Sequence, residues 1–94
     1  MKRAAVFYFA NLGADVIRCV NATKNNNEDR YRDSLARAHR TLEQLRNTGR
    51  HEAYEEGLLM IRGLELARAT PEELASFRSS LDSLMCTFSA RFAM

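Results

Sequence analysis

Apolar residues recur three and four positions apart almost from one end of the chain to the other, the spacing of one face of an α-helix and not the alternation of a half-buried strand. Four helical segments follow from that pattern. The first runs from about Arg3 to Thr23, with Val6, Phe9, Gly13, Val16 and Val20 on one stripe and Ala10, Ile17 and Cys19 at its flanks; Phe7 and Tyr8 fall elsewhere. Residues 6–9 alone would suit a strand, but no second segment is available to pair its backbone groups. The second helix, about Glu28 to Asn47, places Tyr31, Leu35, Ala38, Leu42 and Leu45 at heptad spacing on an otherwise charged surface. The third, about His51 to Ala69, carries two adjoining seams, Ala53, Gly57, Met60, Leu64 and Ala67 beside Tyr54, Leu58 and Ile61, with Leu59 and Leu66 on the remaining side. A helix apolar nearly all round is expected to be buried on more than one side, which makes this one central or interfacial. The fourth runs from Pro71 toward the C-terminus on a stripe of Leu74, Phe77, Leu81, Leu84, Phe88 and Phe92, with Met85 alongside. Its opposite side, Ala75, Ser79, Ser83, Cys86, Ala90 and Ala93, is small and uncharged where a solvated helix normally shows lysine and glutamate. Small residues allow close helix packing, so this face is expected to meet either the first helix or another subunit.

Local signals punctuate the same four segments. Thr70-Pro71-Glu72-Glu73 contains the one proline of the chain and reads as a helix start, with Thr70 as cap, Pro71 in the first turn and Glu73 closing a capping box. Lys24 and the asparagines at 25, 26 and 27 form a turn, offering Asn26 or Asn27 as the next N-cap, and Glu28 and Asp29 then sit at the positive end of the helix dipole. Gly49 is placed to cap the second helix, which makes a hairpin with the third. Gly13, Gly57 and Gly63 lie inside helices at a cost of about 1 kcal/mol each relative to alanine, as expected where backbones approach closely. The fold class that results is all-α, an antiparallel up-down four-helix bundle in one domain over residues 1–94, associating as a homodimer. The expected interface comprises Leu59, Gly63 and Leu66 with Ala75, Ser79, Ser83, Cys86 and Ala90.

Composition narrows this further. With 94 residues, 46% of them hydrophobic, four glycines and one proline, the chain is too apolar for a disordered tail and too poor in turn residues for a β-sandwich. Its core is modest, so self-association is a natural source of added stability. The net charge of +2 conceals a gradient: residues 1–50 hold ten Lys/Arg against five Asp/Glu, and residues 51–94 hold four against seven. Such asymmetry suits pairing between helical hairpins or between subunits, and also a nucleic-acid surface. Cys19 and Cys86 lack the spacing of a disulfide framework or a zinc site and are expected to be free thiols. Met1-Lys2-Arg3 followed by an uncharged run resembles a secretory signal, but the stripe continues in phase to Val20 and the run is too short to span a bilayer. A cytoplasmic protein with no membrane segment is expected, without low-complexity stretches or internal repeats.

Candidate chemistry is sparse. Arg30, Arg37 and Arg40 share one arc of the second helix, and Arg32, Arg46 and Arg50 a neighbouring one. Guanidinium groups pair bidentately with phosphate, so Arg30, Arg37, Arg40, Arg46 and Arg50 are the candidates for contact with RNA or DNA. Against this, Glu28 with Arg32 and Asp33 with Arg37 have the i,i+4 spacing of an exposed, self-paired helix surface, and no aromatic stacking platform is interleaved. Among metal-ligand spacings only His51 with Glu55 occurs, His39 flanks a seam as a boundary residue, and Met60 and Met85 suit core filling. Glu55-Glu56 and Glu72-Glu73 show no sign of burial, no nucleophile has a base and an orienting partner, and neither a phosphate loop nor a dinucleotide fingerprint is present. No cofactor is implied.

Arg46-Asn47-Thr48-Gly49-Arg50-His51 resembles the Arg-x4-6-His motif of HEPN-type ribonucleases, which are also helical bundles. The resemblance covers this stretch alone and implies His51 as acid/base group and Arg46 as stabiliser of phosphate charge, in a cleft shared across a dimer. The residues themselves point to a non-enzymatic interaction module, an assembly, adaptor or regulatory protein working through helix-to-helix contacts. Nucleic-acid binding by the arginine face is the alternative.

Overall fold

The computed structural model describes the backbone of residues 4–92 and the side chains of residues 4–87. Those residues form four helices and no strand: α1 Ala5–Lys24, α2 Glu28–Arg46, α3 His51–Ala67 and α4 Pro71–Phe92. Expected and observed ends agree to within the fraying of a helical turn, apart from the expected start at Arg3, which lies outside the described residues.

The connections show why the helices stop where they do. Asn26 adopts the left-handed conformation at φ 56°, while the Asn27 amide donates to the Ala22 carbonyl at 2.9 Å and the Asn26 amide to the Thr23 carbonyl at 3.1 Å. This is a Schellman closure with asparagine in the position glycine usually holds. Asn27 then caps α2, its side-chain oxygen accepting from the Arg30 amide at 3.1 Å. Gly49, at φ 80°, reverses the chain after α2, a conformation that costs L-residues about 1–2 kcal/mol. Thr70 caps α4 by accepting from the Glu73 amide at 3.1 Å; no reciprocal bond from the Glu73 carboxylate forms among the described residues.

A shared core takes residues from every helix, including Phe9, Leu12, Val16, Leu45, Met60, Leu64 and Leu81. α1 and α3 each touch the other three helices, whereas α2 and α4 do not meet among the described residues. The centrality expected of α3 is therefore shared with α1, whose packing against α2 is the most extensive in the molecule. This widens the buried arc of α1 beyond the expected stripe. Leu12, Asp15 and Ala22 are buried with Phe9, Gly13, Val16, Cys19 and Val20, while Val6 and Ile17 are half-buried and Ala10 is exposed. On α2, Ser34 and Thr41 are likewise buried and Leu35 is only half so. The seam of α3 from Ala53 to Ala67 is buried as expected, with Ile61, but Leu58 is not. On α4, Leu74 and Leu81 are buried and Phe77, Leu84 and Met85 partly so; the expected positions Phe88, Ala90, Phe92 and Ala93 lie outside the described side chains.

The space over the internal glycines is taken by side chains and not, as expected, by a neighbouring backbone. A Cβ on Gly57 would come within 2.8 Å of Leu42 and 2.9 Å of Leu12, and one on Gly13 within 2.6 Å of the Met85 sulfur. The Cα radius of gyration, 12.9 Å, is close to the roughly 12 Å expected for a compact chain of this length.

Candidate functional site

The most exposed large apolar side chains among the described residues lie on the outer side of α3. Leu66 is 69% exposed, Leu59 62% and Leu58 43%, and the interval from Leu59 to Leu66 is two helical turns. Leu59 and Leu66 form a ridge between two grooves. On the α4 side a shallow depression of about 360 Å³ is lined by Gly63, Leu66, Ser76, Phe77 and Ser80. On the α2 side a deeper one of about 560 Å³ is lined by His39, Tyr54, Leu58, Leu59 and Arg62, among others. Gly63 sits beneath Phe77, 3.0 Å from where a Cβ would stand, so it belongs to the α3–α4 contact and opens the groove rather than projecting from it.

Ala75, Ser79, Ser83 and Cys86 are exposed, and at about 100° per residue they lie opposite the buried Leu74 and Leu81. Ala75 borders a cleft with Val20 of α1, while the α4 residues that share a groove with Leu66 are Glu73, Ser76, Phe77 and Ser80. Ala90 lies outside the described side chains.

The arginines of α2 are differently placed from what pairing rules suggested. Arg32 bonds to Asp29 and Arg46 to Glu43, while Glu28 turns to Arg68, just after α3. Asp33 does not pair with Arg37. Arg30, Arg37 and Arg40 are exposed with no ion pair among the described residues. Arg18 of α1 joins Arg30 and Arg37 along a groove of about 670 Å³, together with Asn21, Asp29 and Asp33. Arg18 was visible in advance as one of only two charges in residues 4–23. Arg50 is exposed in the α2–α3 turn. His51 opens α3 as an exposed residue, beyond an Arg46 already engaged by Glu43 at 3.3 Å.

Two polar clusters tie the helices together. Asp15, 3% exposed, accepts from Arg18 Nη1 at 2.9 Å and from the Thr41 hydroxyl of α2 at 3.2 Å. Arg68, just after α3, stacks its guanidinium 3.5 Å from the centroid of the Tyr31 ring. It donates from Nε to Thr23 of α1 at 3.0 Å and from Nη2 to Glu28 of α2. Beneath it the Cys19 thiol points at the Tyr31 carbonyl, 3.9 Å away. Burial, followed by the nearby Asp15 charge, pushes that thiol up to about 11, with Arg68 opposing. Burial likewise raises the Tyr31 phenol, again opposed by Arg68. A thiol held protonated in this way is no nucleophile.

No group of three or more His, Cys, Asp or Glu side chains among the described residues is arranged to hold a metal ion. No described helix is long and apolar enough to cross a membrane. Compared with known proteins, the chain matches no family model, no curated protein and no solved structure.

Proposed function

We propose that the protein is a non-enzymatic helical interaction module, an assembly, adaptor or regulatory protein of the cytoplasm. Its helices run up and down in antiparallel order, and it pairs with a second copy of itself through the α3 ridge. The exposure of Leu59 and Leu66, 62% and 69%, on a ridge flanked by two grooves carries this reading. A ridge beside a groove is self-complementary: under a two-fold axis the leucines of one subunit enter the groove of the other. The short connections at residues 25–27, 47–50 and 68–70 favour antiparallel neighbours, and two free cysteines suit a reducing compartment.

Magnitudes limit how tight such a dimer is. Burying a leucine contributes about 1.5–3 kcal/mol, and association costs at least about 4 kcal/mol in lost freedom. A two-fold dimer buries these two leucines from each subunit, roughly 6–12 kcal/mol in all, so the net after that cost is at most about 8 kcal/mol, a micromolar dimer or a weaker one. Sedimentation velocity from low to high micromolar concentration should show a monomer–dimer equilibrium. The double variant Leu59→Glu/Leu66→Glu should be monomeric throughout with unchanged helical circular dichroism. A native chain that stays monomeric across that range would sink the proposal.

A second reading rests on Arg30, Arg37 and Arg40, which have no carboxylate ion pair among the described residues, and on Arg18 beside them. These suit phosphate contact along RNA or DNA. Asp29 and Asp33 in the same groove act against it. Absence of binding to labelled random-sequence RNA and duplex DNA at low salt would dispose of this second reading.

A further inference from the structure

The fold contains a cleft that neither reading uses, between the end of α1 and the start of α4, with a volume of about 590 Å³. That size is within the range of small-molecule sites, roughly 300–1,000 Å³. Its inner wall is apolar: Val20 and Leu74, 1% and 5% exposed, with Pro71 and Ala75 beside them. Its charged lining is of one sign. Lys24, Arg68 and Arg78 border it, and no aspartate or glutamate does among the described residues. The three grooves described above each include a carboxylate: Asp29 and Asp33, Glu43 and Glu65, or Glu73.

Within the cleft the three cations have different duties. Arg68 is held by Tyr31, Thr23 and Glu28, and Arg78 reaches Asp82 at 2.6 Å, outside the lining. Lys24 is exposed and has no ion pair among the described residues. A wall that is apolar inside and cationic at the rim matches one chemistry, an apolar body ending in an anion. We propose that this cleft binds a small amphipathic anion, its chain against Val20, Pro71, Leu74 and Ala75 and its head between Lys24 and Arg78. The head is a carboxylate or a phosphate, which offer the same charge-assisted contacts to these side chains.

Amide chemical shifts of the full chain, followed while sodium decanoate, decyl phosphate or uncharged decanol is added below micelle formation, test this directly. Either anion should shift the resonances of residues 20–26 and 68–78 saturably, the tighter of the two identifying the head, with decanol weaker. Lys24→Gln/Arg78→Gln should weaken anion binding by about tenfold and leave decanol unchanged. Ala75→Trp, at an exposed position, should abolish both by filling the cleft. Shifts confined to the α3 leucines, no saturable shift, or an affinity unaffected by Lys24→Gln/Arg78→Gln would each overturn the proposal. None of these outcomes depends on the dimer, because the leucine ridge contributes no residue to the cleft.

Discussion

Asp15 is the side chain whose environment departs furthest from its type. A carboxylate is tolerated at 3% exposure because both its oxygens are satisfied, one by Arg18 and one by Thr41, and an unpartnered buried acceptor would cost about 1–3 kcal/mol. Its neighbour Cys19 makes a contrast with Cys86 that is open to measurement. In the native protein, Cys86 is exposed and Cys19 is fully buried and held protonated. A colorimetric disulfide reagent at mildly alkaline pH should therefore modify one thiol quickly and the second only as the chain unfolds. Two fast thiols would contradict the burial. The same shift has a pH consequence. The folded Cys19 value lies above the ordinary 9.0, so its contribution to stability is complete below pH 9.0. It is lost as pH rises toward about 11, since the unfolded chain gives up the proton first. Tyr31 is shifted in the same direction. The melting temperature should fall across that window, and less steeply in Cys19→Ala.

At the scale of the element, α2 is joined to α1 by small and polar residues where a simple bundle would use leucine alone. Ser34, Ala38 and Thr41 are buried, and the Asp15–Thr41 and Cys19–Tyr31 contacts cross the same seam. Small side chains bring helix axes close, which explains why the α1–α2 contact is the broadest. Arg68 then pins the end of α3 to both helices. Its planar guanidinium stacks on Tyr31 while donating sideways, a geometry an ammonium cannot reproduce. Arg68→Lys should lower unfolding stability by about 1–2 kcal/mol, read from urea denaturation. A loss below about 0.5 kcal/mol, the range of an ordinary surface change, would show that the stacking contributes little. The α2 arginines show the limit of pairing rules at this scale: Glu28 was in register for Arg32 but meets Arg68, 40 residues away.

The whole molecule is a flattened body of 38 × 24 × 15 Å. α1 and α3 form its short diagonal, leaving α2 and α4 apart. A slab of this kind covers the inner seams of α3 while leaving its outer ridge uncovered, and Leu59 and Leu66 remain in solvent for that reason. If the ridge is covered by a second copy, stability depends on protein concentration by mass action. Raising the concentration tenfold should raise the melting temperature of the native chain and leave that of Leu59→Glu/Leu66→Glu unchanged. A native melting temperature independent of concentration would count against the dimer.

What the sequence determined by itself were the features that short-range physics controls. Helical periodicity, the Asn25–Asn27 turn, the left-handed Gly49 and the Thr70 cap each depend on residues within a few positions of one another, and all four helices followed from them. The principal seams of α2 and α3 were also legible, because a stripe at helical spacing has to be buried somewhere. Only the tertiary structure decided which helix fills which gap. It buried Leu12 and Asp15 on α1 and stacked Arg68 on Tyr31. It turned Glu28 away from Arg32, and it left Ala75, Ser79, Ser83 and Cys86 exposed. The cleft bordered by Lys24, Arg68 and Arg78 likewise exists only because distant ends of the chain converge. Each of these depends on the angle and separation of helix axes, quantities set by the fit of all the faces at once, which no single stretch of sequence contains.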